Sequence, residues 1–476
     1  MENHRMPKLS DWLEAYSRGF QRFLPSPFAI ALILTAVAFV SACAIGSDGF
    51  EPVLKAWSTG LWNPDLMRFG FQAMFMLVLG HVLALSKPVS KFLRIVVQMA
   101  MRNTRYAAAW VALFSLLLGW INWGLGLVAG ALLAKSVIDR SRSENAEINP
   151  GLIGAAGYMG LLVWHSGLSG SAPLKVAEPG HLMSLYPNGA TWATPLEEAI
   201  SISRTVFTSW NFTITLAVII AIVLLFIFLG STVGRRAGEM RSNSDVNDAQ
   251  EINPMIVKRG PRSVAEALDK GKILAWSFGI VCTGTAIWLA VGSFGSHTTS
   301  LGFVTPDWIN LILLGLAMLA HGSVSNMLNA LEKAIGGASG ILLQFPIYFG
   351  IMGIVTGTGL ADVLSGALVS ATTSGTLPLA IFGSSGLLNI FVPSGGGQWA
   401  VQGPLVIESC HAMGISLEKG IMAMAYGDQW TNMLQPFWAL PLLGITGLKA
   451  RDILPYTLAA LIVSGLVFVV ALLLLA

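Results

Sequence analysis

Charged residues are scarce in this chain. Asp, Glu, Lys and Arg make up only 11% of its 476 residues, whereas 54% are hydrophobic. A soluble domain carries about 25% charged residues, so this composition excludes an ordinary soluble protein and predicts an all-α polytopic membrane protein. The chain has only three cysteines, too few for a disulfide framework or a metal cluster. No HExxH or Walker A pattern occurs, so we expect no enzyme, no cofactor, no metal and no nucleic-acid partner.

Apolar segments fill most of the sequence. They lie at about 27–47, 69–86, 106–134, 151–174, 207–231, 273–293, 307–328, 336–358, 366–407, 420–445 and 453–476. A single helical span needs about 20 residues, which most of these segments fit. Two segments are longer and are interrupted, 106–134 by "GWINWGLG" and 366–407 by "GSSG" and "PSGGG".

The distribution of Lys and Arg decides how the two interrupted segments are counted, because cytoplasmic loops are enriched in these residues. If 106–134 were one ordinary span, the basic loop 231–272 would fall outside the cell. If both interrupted segments enter and leave on the same side, 23 of the 28 Lys and Arg residues are cytoplasmic. This count predicts two re-entrant hairpins, about nine full transmembrane spans and a cytoplasmic N-terminus.

The resulting layout contains two repeats of opposite orientation. Residues 1–231 form the first repeat, with its hairpin at about 106–134, and residues 307–476 form the second, with its hairpin at about 374–409. Residues 232–306 contribute a cytoplasmic loop and a linking transmembrane helix. An ungapped offset of 263 aligns "GLLVWHSGLSGSAPL" with "AMAYGDQWTNMLQPF". Inverted repeats with discontinuous helices are typical of secondary transporters, which bind substrate between the repeats.

The hairpin tips are the predicted substrate-binding elements. Helix N-termini attract anions, and glycine lets a ligand approach the backbone closely. The alternative is that each tip is only a kink packed on small residues. The residues predicted to bind substrate at the two tips and in the polar tracts that follow them are Asn122, Trp123, Gly124, Ser169, Ser394, Gly395, Gly396, Gly397, Gln398, Thr431 and Asn432.

Asp428 and His165 are the predicted ion-coupling residues. Asp428 is the only acid well inside a predicted span of either repeat, and an intramembrane carboxyl is a functional hypothesis by default. His165 matches Asp428 at the offset of 263, and histidine exchanges protons near neutral pH. No Arg or Lys is predicted in the core. A bound anion would therefore rely on dipoles and neutral donors, which favours a small monoanion.

Four motifs carry a resemblance to a known family. They are "FVPSGGGQWAVQGPLV", "AYGDQWTNMLQPFWALPLLG", "WINWGLGLVAGALLAK" and "YMGLLVWHSGLSGSAPL". They resemble the bacterial short-chain fatty acid transporter family, of the acetoacetate and butyrate type, and the similarity covers nearly the whole chain. The resemblance implies the elevator-type fold of the wider ion transporter superfamily, a homodimer, an inner-membrane location and secondary active transport of small monocarboxylates.

The coupling ion is H⁺ or Na⁺, and we expect protons. Superfamily members with well-defined sodium sites carry Ser-Asn-Thr at both tips, whereas this chain carries Asn-Trp-Gly and Ser-Gly-Gly-Gly. Their sodium ligands are therefore not carried over. The remaining alternatives are a sodium-coupled C4-dicarboxylate or amino-acid carrier of the same superfamily, and a passive anion channel.

Overall fold

The computed structural model of the protein describes residues 27–45, 49–177, 180–185, 197–233, 263–295, 303, 305–360, 363 and 372–475. Every regular element in these ranges is a helix, which confirms the predicted all-α class. The N-terminus, predicted to be cytoplasmic, lies outside the described residues, as do most of the basic loop and most of the segment before the second hairpin.

Ten α-helices occupy the described part of the first 233 residues. They are α1 (Pro27–Ile45), α2 (Phe50–Leu61), α3 (Pro64–Ala84), α4 (Lys87–Met101), α5 (Thr104–Ile121), α6 (Trp123–Ser143), α7 (Pro150–Tyr158), α8 (Ser171–Lys175), α9 (His181–Ser184) and α10 (Ser209–Val233). A 3-10 helix, Met159–Leu162, extends α7.

Ten further α-helices are described in the remainder. They are α11 (Val264–Lys270), α12 (Lys272–Gly295), α13 (Pro306–His321), α14 (Val324–Ala334), α15 (Ser339–Gly357), α16 (Leu377–Phe391), α17 (Gly395–Met413), α18 (Leu417–Thr431), α19 (Pro436–Thr446) and α20 (Ala450–Leu475).

Several helices suit a membrane, which supports a polytopic membrane protein. Within the described ranges, five are long and apolar enough to cross one, and others are apolar but shorter. The count of nine spans stays a prediction. The five are Leu66–Leu83, Thr104–Ile121, Ser209–Thr232, Lys272–Gly292 and Ala450–Leu474.

The apolar segment 307–328 is not one straight helix. The chain bends by 120° between α13 and α14. Gly322 ends α13 with a φ of 68°, a left-handed conformation that glycine adopts at little cost. The helix predicted over 307–328 therefore ends at His321, and α14 continues in a different direction.

A helical hairpin forms at each predicted tip. In the first, α5 and α6 run antiparallel, and a Cβ on Gly126 would lie 2.4 Å from the Cα of Gly119. In the second, α16 and α17 run antiparallel. The Gln402 side chain donates a hydrogen bond to the Ser384 hydroxyl and accepts one from the Ser385 hydroxyl. Small residues at such contacts let helix backbones approach closely.

The "GSSG" sequence, expected to interrupt the second segment, does not. Helix α16 runs through it without a break. Its small residues instead admit α18: a Cβ on Gly427 would lie 2.2 Å from the carbonyl oxygen of Phe382 and 2.7 Å from the Cβ of Ser385. The expectation was wrong because close packing between helices outweighed the low helix propensity of glycine and serine.

Two breaks occur where continuous spans were expected. Residues 163–170 separate the α7 extension from α8, and residues 432–435 separate α18 from α19. Freed carbonyls in the second break are satisfied by Tyr158, whose hydroxyl donates to Asn432 O at 2.9 Å and Gln435 O at 3.1 Å. Irregular backbone at membrane depth is tolerated where protein or a watery cavity covers it.

Arg204, in the loop before α10, ties that loop to α18. Its guanidinium donates to Glu197 and contacts Glu418 at the start of α18. The hydrogen bond from Arg204 holds the pKa of the Glu197 carboxyl below its ordinary value. This loop and the N-terminus of α18 therefore lie at the same end of the molecule.

Candidate functional site

His165 and Asp428 meet in the core of the protein. His165 lies in the first break and Asp428 in the last turn of α18, and their side chains are 0% and 1% exposed. Nδ1 of His165 contacts Oδ2 of Asp428. The backbone N–H of Ala172 donates to Nε2 of the same ring at 3.0 Å. Because Nε2 accepts this bond, a neutral imidazole carries its hydrogen on Nδ1 and donates it to Asp428.

A second contact lies beside the first. The backbone N–H of Ser166 donates to Oε1 of Gln429 at 3.0 Å. Both contacts join residues that are 263 apart in the sequence, which is the offset of the aligned repeats. Asn211 of α10 supports this layer, because its amide donates to the Ser166 carbonyl and accepts from the Tyr426 hydroxyl.

The tip of the second hairpin lies against this pair. A Cβ on Gly395 would lie 2.6 Å from Cη2 of Trp164, 2.8 Å from Cε1 of His165 and 3.1 Å from Oδ2 of Asp428. Gly395 is therefore required by close packing. A Cβ on Gly396, by contrast, would meet no atom within 4 Å among the described residues.

Two backbone donors remain free at this tip. Ser394 caps α17, because its Oγ accepts from Gly397 N at 3.2 Å and its carbonyl accepts from Gln398 N at 2.7 Å. The N–H groups of Gly395 and Gly396 have no hydrogen-bond partner among the described residues. They point along the open end of the helix, where the dipole attracts an anion.

The tip of the first hairpin is closed by protein. Asn122 caps α6 in the same way, accepting from Leu125 N at 3.0 Å. However, Trp123 N already donates to Ser169 Oγ at 2.9 Å. A Cβ on Gly124 would lie 2.2 Å from the sulfur of Met76. The predicted site residues of the first tip therefore lie together, but their hydrogen bonds are made within the tip and to Ser169 of the first break.

Thr431 and Asn432 belong to a buried amide network centred on Asn389. The Asn389 amide nitrogen lies 2.9 Å from Asp428 O, 3.0 Å from Thr431 Oγ1 and 3.0 Å from Asn432 Oδ1. Gln435 donates to Asn389 O at 2.9 Å. The network fixes the end of α16 against the second break. Asn389 lies only five residues before the tip, a polar residue in an apolar run that the site prediction omitted.

Gln398 faces into the second hairpin. It is 0% exposed, and its amide donates to Ser385 O at 2.9 Å and to Gln402 Oε1 at 3.1 Å. Its side-chain donor is thus engaged within the hairpin. A contact between this side chain and substrate stays a prediction.

An apolar wall stands beside the tips. Met352 of α15 contacts the second tip, since a Cβ on Gly397 would lie 3.0 Å from its Cε. At the start of α19, the Phe437 ring stacks on the Phe345 ring, with 4.1 Å between the ring centroids. Its centroid lies 5.0 Å from that of Tyr348. Trp438 contacts Trp123 of the first tip at 5.2 Å. The residues of α15 were missed because a uniformly apolar helix carries no signal for the face that lines a site.

Charge is almost absent from this interior. Among the described residues, no Lys or Arg is buried, and Asp428 is the only buried acid. The described ranges contain no group of three or more His, Cys, Asp or Glu that could hold a metal ion.

Comparison with known proteins identifies the family of this chain. A family model described as short chain fatty acid transporter matches residues 9–475. The chain belongs to the short-chain fatty acid transporter family. It is 34% identical over 463 residues to a protein of Escherichia coli K12 that carries the provisional name short-chain fatty acid transporter, covering 96% of this chain and 97% of the relative. A Haemophilus influenzae protein of the same provisional name is 33% identical over 467 residues, covering 95% and 96%.

Family membership confirms the predicted resemblance and identifies a transporter rather than an enzyme. Two solved transporter structures are also similar. MtrF of Neisseria gonorrhoeae, described as illuminating a class of antimetabolite efflux pumps, has a TM-score of 0.44 at 15% identity, covering 96% of this chain and 97% of its own. The Alcanivorax borkumensis YdaH transporter has a TM-score of 0.42 at 15% identity, covering 94% and 98%. Scores this low support no argument about this chain.

Proposed function

We propose that this transporter carries short-chain monocarboxylates such as butyrate and acetoacetate across the bacterial inner membrane, driven by protons. The observation that carries the proposal is the position of Gly395. This residue lies at a tip with free backbone donors and packs directly against the buried His165–Asp428 pair. A carboxylate and a proton would thus bind at neighbouring positions.

The carboxylate binds at the second tip in this proposal. The free N–H groups of Gly395 and Gly396 supply hydrogen bonds, and the open space at Gly396 admits the ligand. No buried Lys or Arg accompanies them among the described residues. One negative charge can be held by such neutral donors, whereas a second desolvated carboxylate would lack a partner.

The proton binds to Asp428. Because Nε2 of His165 accepts from Ala172 N–H, the imidazole has no free site for a second proton. It keeps donating through Nδ1 to Asp428, and an added proton goes to the free oxygen of that carboxyl. Two unit charges of the same sign repel by about 4 kcal/mol at about 4 Å and an effective dielectric constant of 20, and by less at larger separations. Protonation of Asp428 removes this repulsion, so proton and anion binding favour each other.

Alternating access follows an inverted-repeat, elevator-type scheme in this proposal. Contacts between residues 263 apart are expected near a pseudo-twofold axis, and two such pairs meet at the site. The capping of α6 by Asn122 and of α17 by Ser394 is also equivalent. We include the cytoplasmic N-terminus and the homodimer in the proposal; they rest on the charge distribution and on the family resemblance, respectively.

The test uses purified protein in liposomes with radiolabelled butyrate, with pH and sodium gradients imposed separately. We expect saturable accumulation driven by an inward proton gradient and no accumulation driven by sodium alone. Sodium-driven accumulation without a pH gradient would replace the proton by sodium. A non-saturable flux that never accumulates butyrate would favour a passive channel.

A further inference from the structure

The hydroxyl of Tyr348 differs from those of the other buried tyrosines. Tyr158 donates to two carbonyls of the second break, and Tyr426 donates to Asn211 at 2.7 Å. Tyr348 is 0% exposed, yet its hydroxyl has no hydrogen-bond partner among the described residues. A buried polar group without a partner costs free energy, and each such group calls for an explanation. A bound ligand is one.

Tyr348 lies on the helix face that borders the second tip. Met352, which approaches the tip at Gly397, is one helical turn further along α15. Residues four apart lie on the same face of a helix, displaced by about 6 Å along its axis. The Tyr348 ring also meets Phe437, just after the second break. Its hydroxyl is thus a buried donor without a partner among the described residues, on the helix that borders the tip.

The acids proposed as substrates differ in whether they offer an acceptor to this donor. Acetoacetate carries an oxygen on C3, which can accept a hydrogen bond, whereas butyrate carries oxygen only in its carboxylate. A saturated chain would leave the hydroxyl unpaired, because it offers no acceptor.

We propose that Tyr348 donates a hydrogen bond to an oxygen on C3 of the substrate, so that the carrier prefers 3-oxo and 3-hydroxy short-chain acids to saturated ones. This inference rests on the proposed function and assigns Tyr348 as its specificity-determining residue. A site built to hydrogen-bond a substrate oxygen discriminates against the analogue that lacks it.

Competition for labelled acetoacetate uptake tests the assignment, with unlabelled acetoacetate, 3-hydroxybutyrate, butyrate and 4-hydroxybutyrate as competitors. In the unmodified protein we expect the C3-oxygenated acids to compete about tenfold better than the other two. Tyr348→Phe should remove this preference by weakening acetoacetate and strengthening butyrate. Tyr456→Phe is the matched control, because it removes a buried hydroxyl that already has a protein partner, Asn149, and that the proposal does not use, so it should leave the ratio unchanged.

Two results for Tyr348→Phe would overturn the assignment: an unchanged ratio, or an equal loss for butyrate and acetoacetate. If this variant does not fold, the unmodified protein still decides, because equal competition by butyrate and acetoacetate contradicts the inference. Failure of every acid to be transported would overturn the proposed function as well, which separates the two conclusions.

Discussion

Substitutions at two adjacent glycines should separate packing from ligand binding at the second tip. Gly396 is not among the glycines with positive φ, and a Cβ there meets nothing within 4 Å. Gly396→Ala should therefore fold normally. Its free energy of unfolding should rise by about 0.5–1 kcal/mol, because alanine is the better helix residue. Gly395→Ala would place its Cβ 2.6 Å from Trp164 and 2.8 Å from His165. Overpacking of this kind typically costs about 1–3 kcal/mol.

The effect of Gly396 on affinity should be opposite to its effect on stability. A side chain in front of the tip displaces the carboxylate from a free N–H group. Losing one hydrogen bond to a charged group costs about 1.5–3 kcal/mol, which weakens binding by about 12-fold to 150-fold. Gly396→Val should weaken carboxylate binding at least as much as Gly396→Ala does.

Butyrate affinity by calorimetry, together with thermal unfolding of each purified variant, measures both effects. Stable Gly396 variants with weakened binding are expected, whereas Gly395→Ala should also unfold at a lower temperature. Butyrate binding by Gly396→Val at the affinity of the unmodified protein would refute the assignment of this tip as the carboxylate site.

Three further predictions concern coupling, selectivity and orientation. Asp428→Asn mimics the protonated carboxyl, so this variant should exchange labelled for unlabelled butyrate but lose proton-driven accumulation, and His165→Gln should have a milder effect. Undiminished accumulation by Asp428→Asn would show that Asp428 has no role in coupling. Succinate should compete poorly with butyrate, because no buried Lys or Arg is described to pair its second carboxylate; strong competition would instead indicate a dicarboxylate carrier. In a background without the native cysteines, Ser203→Cys should react with an impermeant thiol reagent from outside and Ser143→Cys should not; the reverse result contradicts the proposed topology.

The sequence by itself determined the features that depend on composition or on neighbouring residues. A charged fraction of 11% is enough to indicate a membrane protein. Asn122 and Ser394 were predictable as tip residues because a helix cap needs only a side-chain oxygen and an N–H three residues later. The offset of 263 likewise matched His165 with Asp428, and these residues are in contact.

The tertiary structure alone decided which tip is open. Both tips have equivalent caps, but the Trp123 N–H of the first tip already donates to Oγ of Ser169, 46 residues away in the sequence. No described residue accepts a hydrogen bond from the N–H groups of Gly395 and Gly396. Likewise, α16 continues through "GSSG" because α18 packs against it, and the Tyr348 ring packs against Phe437, a residue distant in the sequence. A cap is a local interaction, whereas a free donor, a continuous helix or a lining face depends on residues that are distant in sequence and brought together only by folding.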